Sequence, residues 1–190
     1  MDSPFRYFAL ELCAASLDQI FLDNNQPRKY NGPNLPHYFT LFLQLAEGLE
    51  YIHSENLIHR DIKPGNVLIY VDPNTRQITM KWADFGLSRI VNQRGTFTMS
   101  SGFIGTRNWY APELLKLITE FQQSIERRGT VKSDVYALGL VFAYLLLNGK
   151  HLYGSNEIEI MANIVANKQV NRNSKFRIGY KKWQMITSAN

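Results

Sequence analysis

The stretch LIHRDIKPGNVLI, residues 57–69, sets polar side chains between two apolar segments. Those polar side chains are His59, Arg60, Asp61, Lys63 and Asn66. Charged side chains are rarely buried without partners. We therefore predict a short loop that joins two packed elements and directs its polar groups into a cleft.

The composition of the chain indicates one globular domain. Its 190 residues are 45% hydrophobic and 13% aromatic, which is typical of a chain with a packed core rather than a disordered one. The formal net charge of +5 indicates an ordinary basic surface, so no nucleic-acid partner is predicted. The single cysteine, Cys13, excludes an internal disulfide and is typical of a reducing compartment.

The sequence also predicts the cellular location of the chain. Its start, MDSPFRYF, lacks the basic residues and following apolar run of a signal peptide. The most apolar stretch, residues 137–147, is too short to span a bilayer and is typical of a core helix. These features predict a cytoplasmic chain.

The segments around the quoted stretch predict a helix and a hairpin. Before it, Tyr38, Phe42, Leu45, Leu49 and Ile52 alternate in spacings of four and three, which predicts a helix over residues 36–54. After it, two short strands are predicted over residues 67–71 and 78–82. The connection DPNTRQ between them has strong turn chemistry. Because a two-stranded hairpin is marginal on its own, we expect it to pack on the helices.

The remaining segments predict a fold that is mainly α-helical. Helices are predicted over residues 111–118, 133–150 and near 156–167, and the second is apolar nearly all round and hence central. Ser133 or Asp134 is a candidate N-cap of that helix, and Gly149 a candidate end. A strand-like run covers residues 7–12 and a loop covers residues 24–36. The tail from residue 170 has no predicted structure.

Three side chains near the hairpin could hold a metal ion. Asp61 and Asn66 precede the first strand, and Asp84 follows the second. Since an antiparallel hairpin returns the chain to where it started, Asp84 should lie near Asn66. Carboxylate and amide oxygens suit Mg²⁺, which usually keeps phosphate oxygens in its shell. Lys63 would lie beside them as a cation for phosphate, and Asp61, slightly apart, could accept a proton. Together these groups describe phosphoryl transfer.

Each of these residues has a simpler interpretation when taken singly. His59-Arg60-Asp61 could be a structural turn, and the DFG at residues 84–86 could be an ordinary turn at a strand end. His59 and Asp61 could be two metal ligands, but no further His or Cys cluster completes such a site. Their combination, in this order and with a hairpin between, favours phosphoryl transfer.

Three motifs in order carry a resemblance to a known family. HRDIKPGN at residues 59–66, DFG at 84–86 and APE at 111–113 match the protein-kinase signature set. The chain resembles the C-terminal lobe (C-lobe) of a eukaryotic protein kinase over roughly residues 2–168. FRYFALELCAASLDQ and KPGNVLI further resemble the inositol-requiring enzyme family of unfolded-protein-response kinase/endoribonucleases.

The resemblance implies a division of the chain. Residues 1–13 would be the last strand and hinge remnant of the N-lobe, which is otherwise almost entirely missing. Residues 14–169 would be the C-lobe, mainly α with a short β hairpin, and residues 170–190 a basic tail. No GxGxxG occurs and no lysine precedes Lys29, so the glycine-rich loop and strand lysine of a whole kinase are not found.

The resemblance implies ATP and Mg²⁺ as cofactors and gives each motif residue a role. Asp61 would orient and deprotonate the substrate hydroxyl, and Lys63 would neutralise charge on the moving phosphoryl group. Asn66 and Asp84 would hold Mg²⁺. Leu10 would be the gatekeeper, and backbone groups of Glu11 and Cys13 would contact the adenine edge. Leu68 would lie beneath the adenine.

Further residues would align or regulate this site. His59 and Phe85 would pack so as to align the site. Asp134 would hold the backbone of the catalytic loop, residues 59–66. The candidate phosphorylation sites are Thr96, Thr98 and Ser101, although loops are commonly rich in Ser and Thr in any case. The other two family positions are Thr106, near the substrate and Asp61, and Glu113, which normally pairs with an arginine on a later helix. A phosphate on the loop could pair with Arg60.

The resemblance thus predicts a serine/threonine protein kinase that transfers the ATP γ-phosphate to protein hydroxyls, a second copy of itself being one candidate substrate. The parent protein could be a homodimer anchored in the endoplasmic reticulum membrane with its kinase facing the cytosol. No RNA cleavage is predicted. We expect a fragment of a longer kinase, with little or no turnover by itself. Two alternatives remain: a catalytically inactive kinase lobe that binds and regulates a full-length kinase, and nucleic-acid binding through the basic tail.

Overall fold

The structure is a computed structural model that describes residues 10–92, 94–98, 105–119 and 128–172. Predictions for residues 7–9 of the strand-like run 7–12, for Ser101 and for the tail beyond residue 172 lie outside the described residues.

The helices predicted from hydrophobic periodicity are confirmed, with ends that shift by a few residues. Within the described part of the chain they are α1 Tyr38–Ser54, α2 Pro112–Thr119, α3 Lys132–Leu146 and α4 Glu157–Val165. None of these helices is long and apolar enough to cross a membrane.

The strands form three small antiparallel sheets in the described residues. They are β1 Ala15–Ser16, β2 Leu57–Ile58, β3 Val67–Val71, β4 Ile78–Trp82, β5 Arg89–Ile90, β6 Thr96–Thr98 and β7 Arg128–Thr130. The hairpin β3–β4 has the predicted bounds and pairs Val67 with Trp82 and Val71 with Ile78. The predicted strand is wrong for residues 10–12; among the described residues, strand pairing begins at β1, which adds to the edge of β3.

The hairpin is fixed to α1 by side-chain hydrogen bonds, as its marginal intrinsic stability requires. The Gln44 amide donates to the Ile78 carbonyl (3.3 Å) and accepts from the Met80 N–H (3.0 Å). The Trp82 indole N–H donates to the Leu45 carbonyl at 3.0 Å. This edge of the hairpin leads directly into residues 83–86, so α1 also fixes where the DFG motif lies.

The main core lies between α1, α3 and the hairpin. Its fully buried members include Leu41 and Leu45 of α1, Val67 and Ile69 of β3, and Val141 of α3. Each fully buried aliphatic side chain contributes about 1.5–3 kcal/mol relative to its exposed state. The catalytic-loop residue Ile62 belongs to the same cluster, so the loop that carries the polar groups is anchored in the core.

The predicted N-cap of α3 is wrong, and its C-terminus differs in detail. Val131 occupies the N-cap without a side-chain hydrogen bond, while Ser133 lies inside the helix and donates to the Thr130 carbonyl at 2.8 Å. At the other end the left-handed residue is Asn148, with φ of 54°. The Gly149 N–H bonds back to the Tyr144 carbonyl at 2.9 Å, which is the closure of a Schellman motif.

A second core forms around α2, α4 and the far end of α3, and it buries His151. The Trp109 ring meets the imidazole edge-on at a centroid distance of 4.9 Å. Nδ1 of His151 accepts from the Tyr153 N–H at 3.2 Å. Burial lowers the pKa of His151 from 6.5 to about 4.

This histidine predicts a loss of stability in mild acid. Between pH 6.5 and about 4 the unfolded chain binds a proton at His151 and the folded chain does not, so the free energy of unfolding falls as the pH falls. A shift of this size amounts to about 3 kcal/mol across that window. Urea unfolding at several pH values measures it, with His151→Gln as the comparison. If the free energy of unfolding changed with pH in the same way in the wild type and in His151→Gln across this window, the prediction would be contradicted.

Candidate active site

The carboxylate of Asp61 is the centre of a hydrogen-bond network. Its Oδ1 accepts from the backbone N–H and the hydroxyl of Thr106, at 2.9 and 2.8 Å. Its Oδ2 accepts from the Lys63 ammonium at 2.6 Å and from the Asn66 amide at 2.9 Å. The expectation that Asp61 lies slightly apart from the other polar groups is therefore wrong: it contacts both Lys63 and Asn66 directly.

The network keeps Asp61 ionised although it is buried. Burial raises the pKa of the Asp61 carboxyl. Hydrogen bonds from Lys63, Thr106 and Asn66, together with the positive charge of Lys63, outweigh burial and hold the pKa below its usual value. The Lys63 ammonium also donates to the Thr106 hydroxyl at 2.8 Å. A fixed, ionised carboxylate beside a cation is suited to orienting a hydroxyl group.

The close approach of Thr106 depends on the preceding glycine. Gly105 has φ of 130°, and a Cβ there would lie 2.7 Å from the Arg60 carbonyl oxygen. Only glycine fits this position without strain. The sequence prediction that Thr106 lies near Asp61 is supported by this geometry.

Asp134 on α3 holds the backbone of the catalytic loop by hydrogen bonds. Its buried carboxylate accepts from the His59 N–H at 2.8 Å and from the Arg60 N–H at 3.0 Å. These bonds stabilise Arg60 in a left-handed conformation with φ of 72°, which a non-glycine residue rarely adopts. Sequence reasoning missed His53 at the end of α1, whose Nε2 lies 3.1 Å from the same carboxylate.

His59 is fully buried and both of its ring nitrogens have partners. Nδ1 accepts from the Asp61 N–H at 3.3 Å, and Nε2 lies 2.9 Å from the Ala83 carbonyl. The Phe85 ring packs against it at 5.0 Å. With both nitrogens occupied, His59 links the catalytic loop to the DFG segment, and the alternative that it is a metal ligand is not supported.

Asn66 and Asp84 could hold Mg²⁺. The Asn66 amide donates to Asp61, to its carbonyl at 2.8 Å and to its carboxylate, which turns the amide oxygen away from Asp61. The Ala83 N–H donates to the Asn66 carbonyl at 2.9 Å and so places Asp84 beside Asn66. Asp84 is exposed in a left-handed conformation with φ of 63°. A buried amide oxygen and an exposed carboxylate fit a cation that takes its other ligands from phosphates and water.

The described residues contain no group of three or more His, Cys, Asp and Glu side chains arranged for a metal. A dedicated all-protein zinc-type cage is therefore not found in this part of the chain.

Of the residues expected around the adenine, Glu11, Cys13 and Leu68 lie in or beside the sheet of β1, β3 and β4. Leu68 alternates with the buried Val67 and Ile69 and so faces the opposite side of β3 from the core. The Ala14 N–H pairs with the Ile69 carbonyl at 2.8 Å, which brings Cys13 to the edge of β3. Leu10 is 88% exposed, and Glu11 forms an ion pair with Lys81 of β4.

The resemblance implies an activation loop between Asp84 and Glu113, and this segment is partly described. Thr96 lies in β6, with its N–H bonded to the Asn92 side chain at 3.1 Å. Thr98 ends the same strand, and only its backbone is described. Glu113 is exposed in the first turn of α2. A small open pocket lies between this segment and the catalytic loop. Arg60, Asp61, Phe97, Thr106, Tyr110 and Leu114 are among its lining residues.

Comparisons with known proteins agree with this geometry. A family model described as protein kinase domain matches residues 2–189. The chain is 36% identical over 154 residues to the human serine/threonine-protein kinase/endoribonuclease IRE2. It is 30% identical over 171 residues to the sensor for unfolded proteins in the ER ire1 of Schizosaccharomyces pombe. It is also 35% identical over 136 residues to mitogen-activated protein kinase 2 of Arabidopsis thaliana.

The matches cover most of this chain but a small part of each relative. They span 80%, 82% and 70% of the chain, against 15%, 16% and 32% of the three relatives in the same order. The chain therefore spans about a sixth of the length of the first two relatives and about a third of the last.

Proposed function

The chain belongs to the protein kinase domain family, and from that premise we propose that it transfers the γ-phosphate of ATP to serine and threonine hydroxyls of proteins. The observation that carries the proposal is the Asp61 network. A threonine hydroxyl already donates to the Asp61 carboxylate at 2.8 Å, which is the contact that a substrate hydroxyl needs for general-base assistance.

The other residues of the site bind ATP and Mg²⁺ or neutralise the charge of the phosphoryl group. Lys63 carries a positive charge next to Asp61 and neutralises a phosphoryl group as it approaches. Asn66 and Asp84 hold Mg²⁺, which supplies charge neutralisation of the ATP phosphates when bound. Leu10, Glu11, Cys13 and Leu68 form the adenine edge of the cleft. His59, Asp134 and Phe85 keep these groups in register through the contacts described above.

We propose slow turnover by this chain. No GxGxxG sequence occurs in its 190 residues, so no glycine-rich loop of this chain covers the phosphates. Water then competes with each electrostatic contact in the site, which weakens it. We therefore expect slow phosphoryl transfer, although the catalytic loop is intact.

The relatives support a more specific proposal for the parent protein. Two of them carry the names kinase/endoribonuclease and sensor for unfolded proteins in the ER. We propose that the chain is the kinase portion of such a sensor, facing the cytosol, with a second copy of itself as one protein substrate and dimer partner.

Transfer of label from γ-³²P-ATP to peptides tests the proposed activity. Peptides that differ only in serine, threonine or tyrosine at one position separate the hydroxyl classes. We expect Mg²⁺-dependent label on the serine and threonine peptides and none on the tyrosine peptide. Label on the tyrosine peptide, or serine and threonine label that persists in Asp61→Asn, would contradict the proposal.

A further inference from the structure

The hinge segment, residues 10–13, has few connections to the rest of the fold. No backbone–backbone hydrogen bond joins it to another residue of the described chain. The first such bond comes after it, where the Ala14 N–H donates to the Ile69 carbonyl at 2.8 Å. Both leucines of the hinge segment are exposed. The position of the segment therefore depends on the contacts of Glu11 and Cys13.

One side chain of the hinge segment reaches across to the hairpin. The carboxylate of Glu11 forms an ion pair with the ammonium group of Lys81 on β4. Burial raises the pKa of the Cys13 thiol, and the positive charge of Lys81 acts against this effect. Lys81 therefore lies near both residues whose backbone groups would contact the adenine edge.

Lys81 is itself held by an aromatic ring. Its ammonium nitrogen lies 4.6 Å from the centroid of the Tyr70 ring on β3. Lys81 pairs with Leu68 across the hairpin, and Tyr70 lies two residues further along β3. Because these side chains alternate with buried ones, all three share the face of the sheet opposite the core. Leu68 is the residue expected beneath the adenine, so the ion pair is anchored on the face that would carry the base.

The setting of this ion pair distinguishes it from an ordinary surface pair. A solvent-exposed pair of long side chains is screened and contributes little by itself. Here the ring of Tyr70 attracts the same ammonium group through its quadrupole. Lys81 and Tyr70 are also only partly exposed and belong to paired strands. The ammonium group therefore has a defined position to which Glu11 can be fixed.

We propose that Glu11, Lys81 and Tyr70 form a clamp that positions the hinge segment for the adenine base, with Lys81 and Tyr70 as positioning residues. None of the three is a residue that we propose to hold Mg²⁺. The inference rests on the proposed kinase function, since adenine is the base of the nucleotide in that reaction. Loss of the clamp should weaken binding of the base and leave binding of the phosphates unchanged.

Calorimetry with Mg²⁺–ATP and, separately, with Mg²⁺–tripolyphosphate tests the clamp on the full chain. Lys81→Met removes the ammonium group and keeps an unbranched side chain. We expect it to weaken ATP binding roughly three- to ten-fold, as loss of a partly exposed ion pair and a cation–π contact implies. The affinity for tripolyphosphate should not change. Lys150→Met, which removes an exposed lysine, is the matched control and should alter neither affinity.

Exchange of the two charges assigns the effect to the ion pair. Glu11→Lys alone should weaken ATP binding, and the double variant Glu11→Lys/Lys81→Glu should recover part of that loss. Should Lys81→Met fold poorly, Lys81→Gln replaces it, because glutamine is polar and uncharged at this partly exposed position. Equal ATP affinity in the wild type and the folded Lys81 variant would overturn the proposal. So would an equal loss of ATP and tripolyphosphate affinity, or a loss that the double variant does not reduce.

Amide hydrogen exchange separates the clamp from the proposed activity, because it needs no nucleotide. The Ala14 N–H makes the first backbone bond after the hinge segment. In Lys81→Met it should exchange several-fold faster than in the wild type, while amides in the centre of α1 should not. Unchanged exchange at Ala14 would contradict the clamp. A wild-type chain that binds no ATP would instead contradict the proposed kinase function.

Discussion

Asp134→Ala is expected to destabilise the chain by about 3–5 kcal/mol, one of the two largest effects that the structure predicts. The substitution leaves the buried N–H groups of His59 and Arg60 without their acceptor. It also removes the carboxylate that His53 contacts. Stabilities of single domains are only about 5–15 kcal/mol, so a loss of this size is a large part of the total.

Urea unfolding and amide hydrogen exchange measure this effect together. Asp23→Ala removes an exposed aspartate and should change the stability by less than about 0.5 kcal/mol. Asp134→Asn keeps one acceptor oxygen, so its stability should lie between those of Asp134→Ala and Asp23→Ala. In Asp134→Asn, the amides of His59 and Arg60 should exchange faster while amides in the centre of α1 do not. If Asp134→Ala were as stable as Asp23→Ala, the loop would not depend on this carboxylate.

Asp61→Asn is expected to lower the rate of phosphoryl transfer by about 10²–10⁴-fold, the range for loss of a general base. The amide that replaces the carboxylate cannot accept the substrate proton. It also keeps only one oxygen for the contacts that the two carboxylate oxygens now accept from Lys63, Thr106 and Asn66. Peptide labelling under the conditions of the wild-type assay measures the loss.

The design of this comparison separates chemistry from binding. Asn66 and Asp84, which we propose to hold Mg²⁺, are unchanged in Asp61→Asn, so its stabilisation by Mg²⁺–ATP should persist. Asp23→Asn, purified in parallel, controls for kinases carried over from the host. A loss of less than ten-fold in Asp61→Asn would show that Asp61 is not the base.

The hairpin and helices could be predicted because their signals are local. DPNTRQ specifies a turn, and in the structure the Asp72 carboxylate accepts from the Asn74 and Thr75 N–H groups within it. The apolar spacing of α1 corresponds to the face that it buries. The helix ends have no such local signal, because capping side chains are also used by tertiary partners. Asp134 is a good cap residue by type, yet its side chain is taken by the catalytic loop.

Other features had no local signal. β2 and β5 are strands of two residues, and their pairing joins segments about thirty residues apart. The pairing of β6 with β7 likewise depends on the position of α3. In the site, the motifs identified Asp61, Lys63, Asn66 and Asp84, but not that Lys63 and Thr106 would saturate the Asp61 carboxylate. The contact of Phe97 with Arg60 could not be predicted, because it depends on which face β6 presents.

The central claim is that the cleft beside β3 and β4 binds Mg²⁺–ATP through Asn66 and Asp84. Thermal unfolding of the chain with and without Mg²⁺–ATP tests it most directly, with Asp84→Asn and ATP in EDTA as controls. At about 100 times the dissociation constant, the ligand should stabilise the native state by roughly 2.7 kcal/mol. We expect this shift in the wild type and its loss in both controls. Cooperative unfolding without a shift, or an equal shift in Asp84→Asn, would contradict the claim.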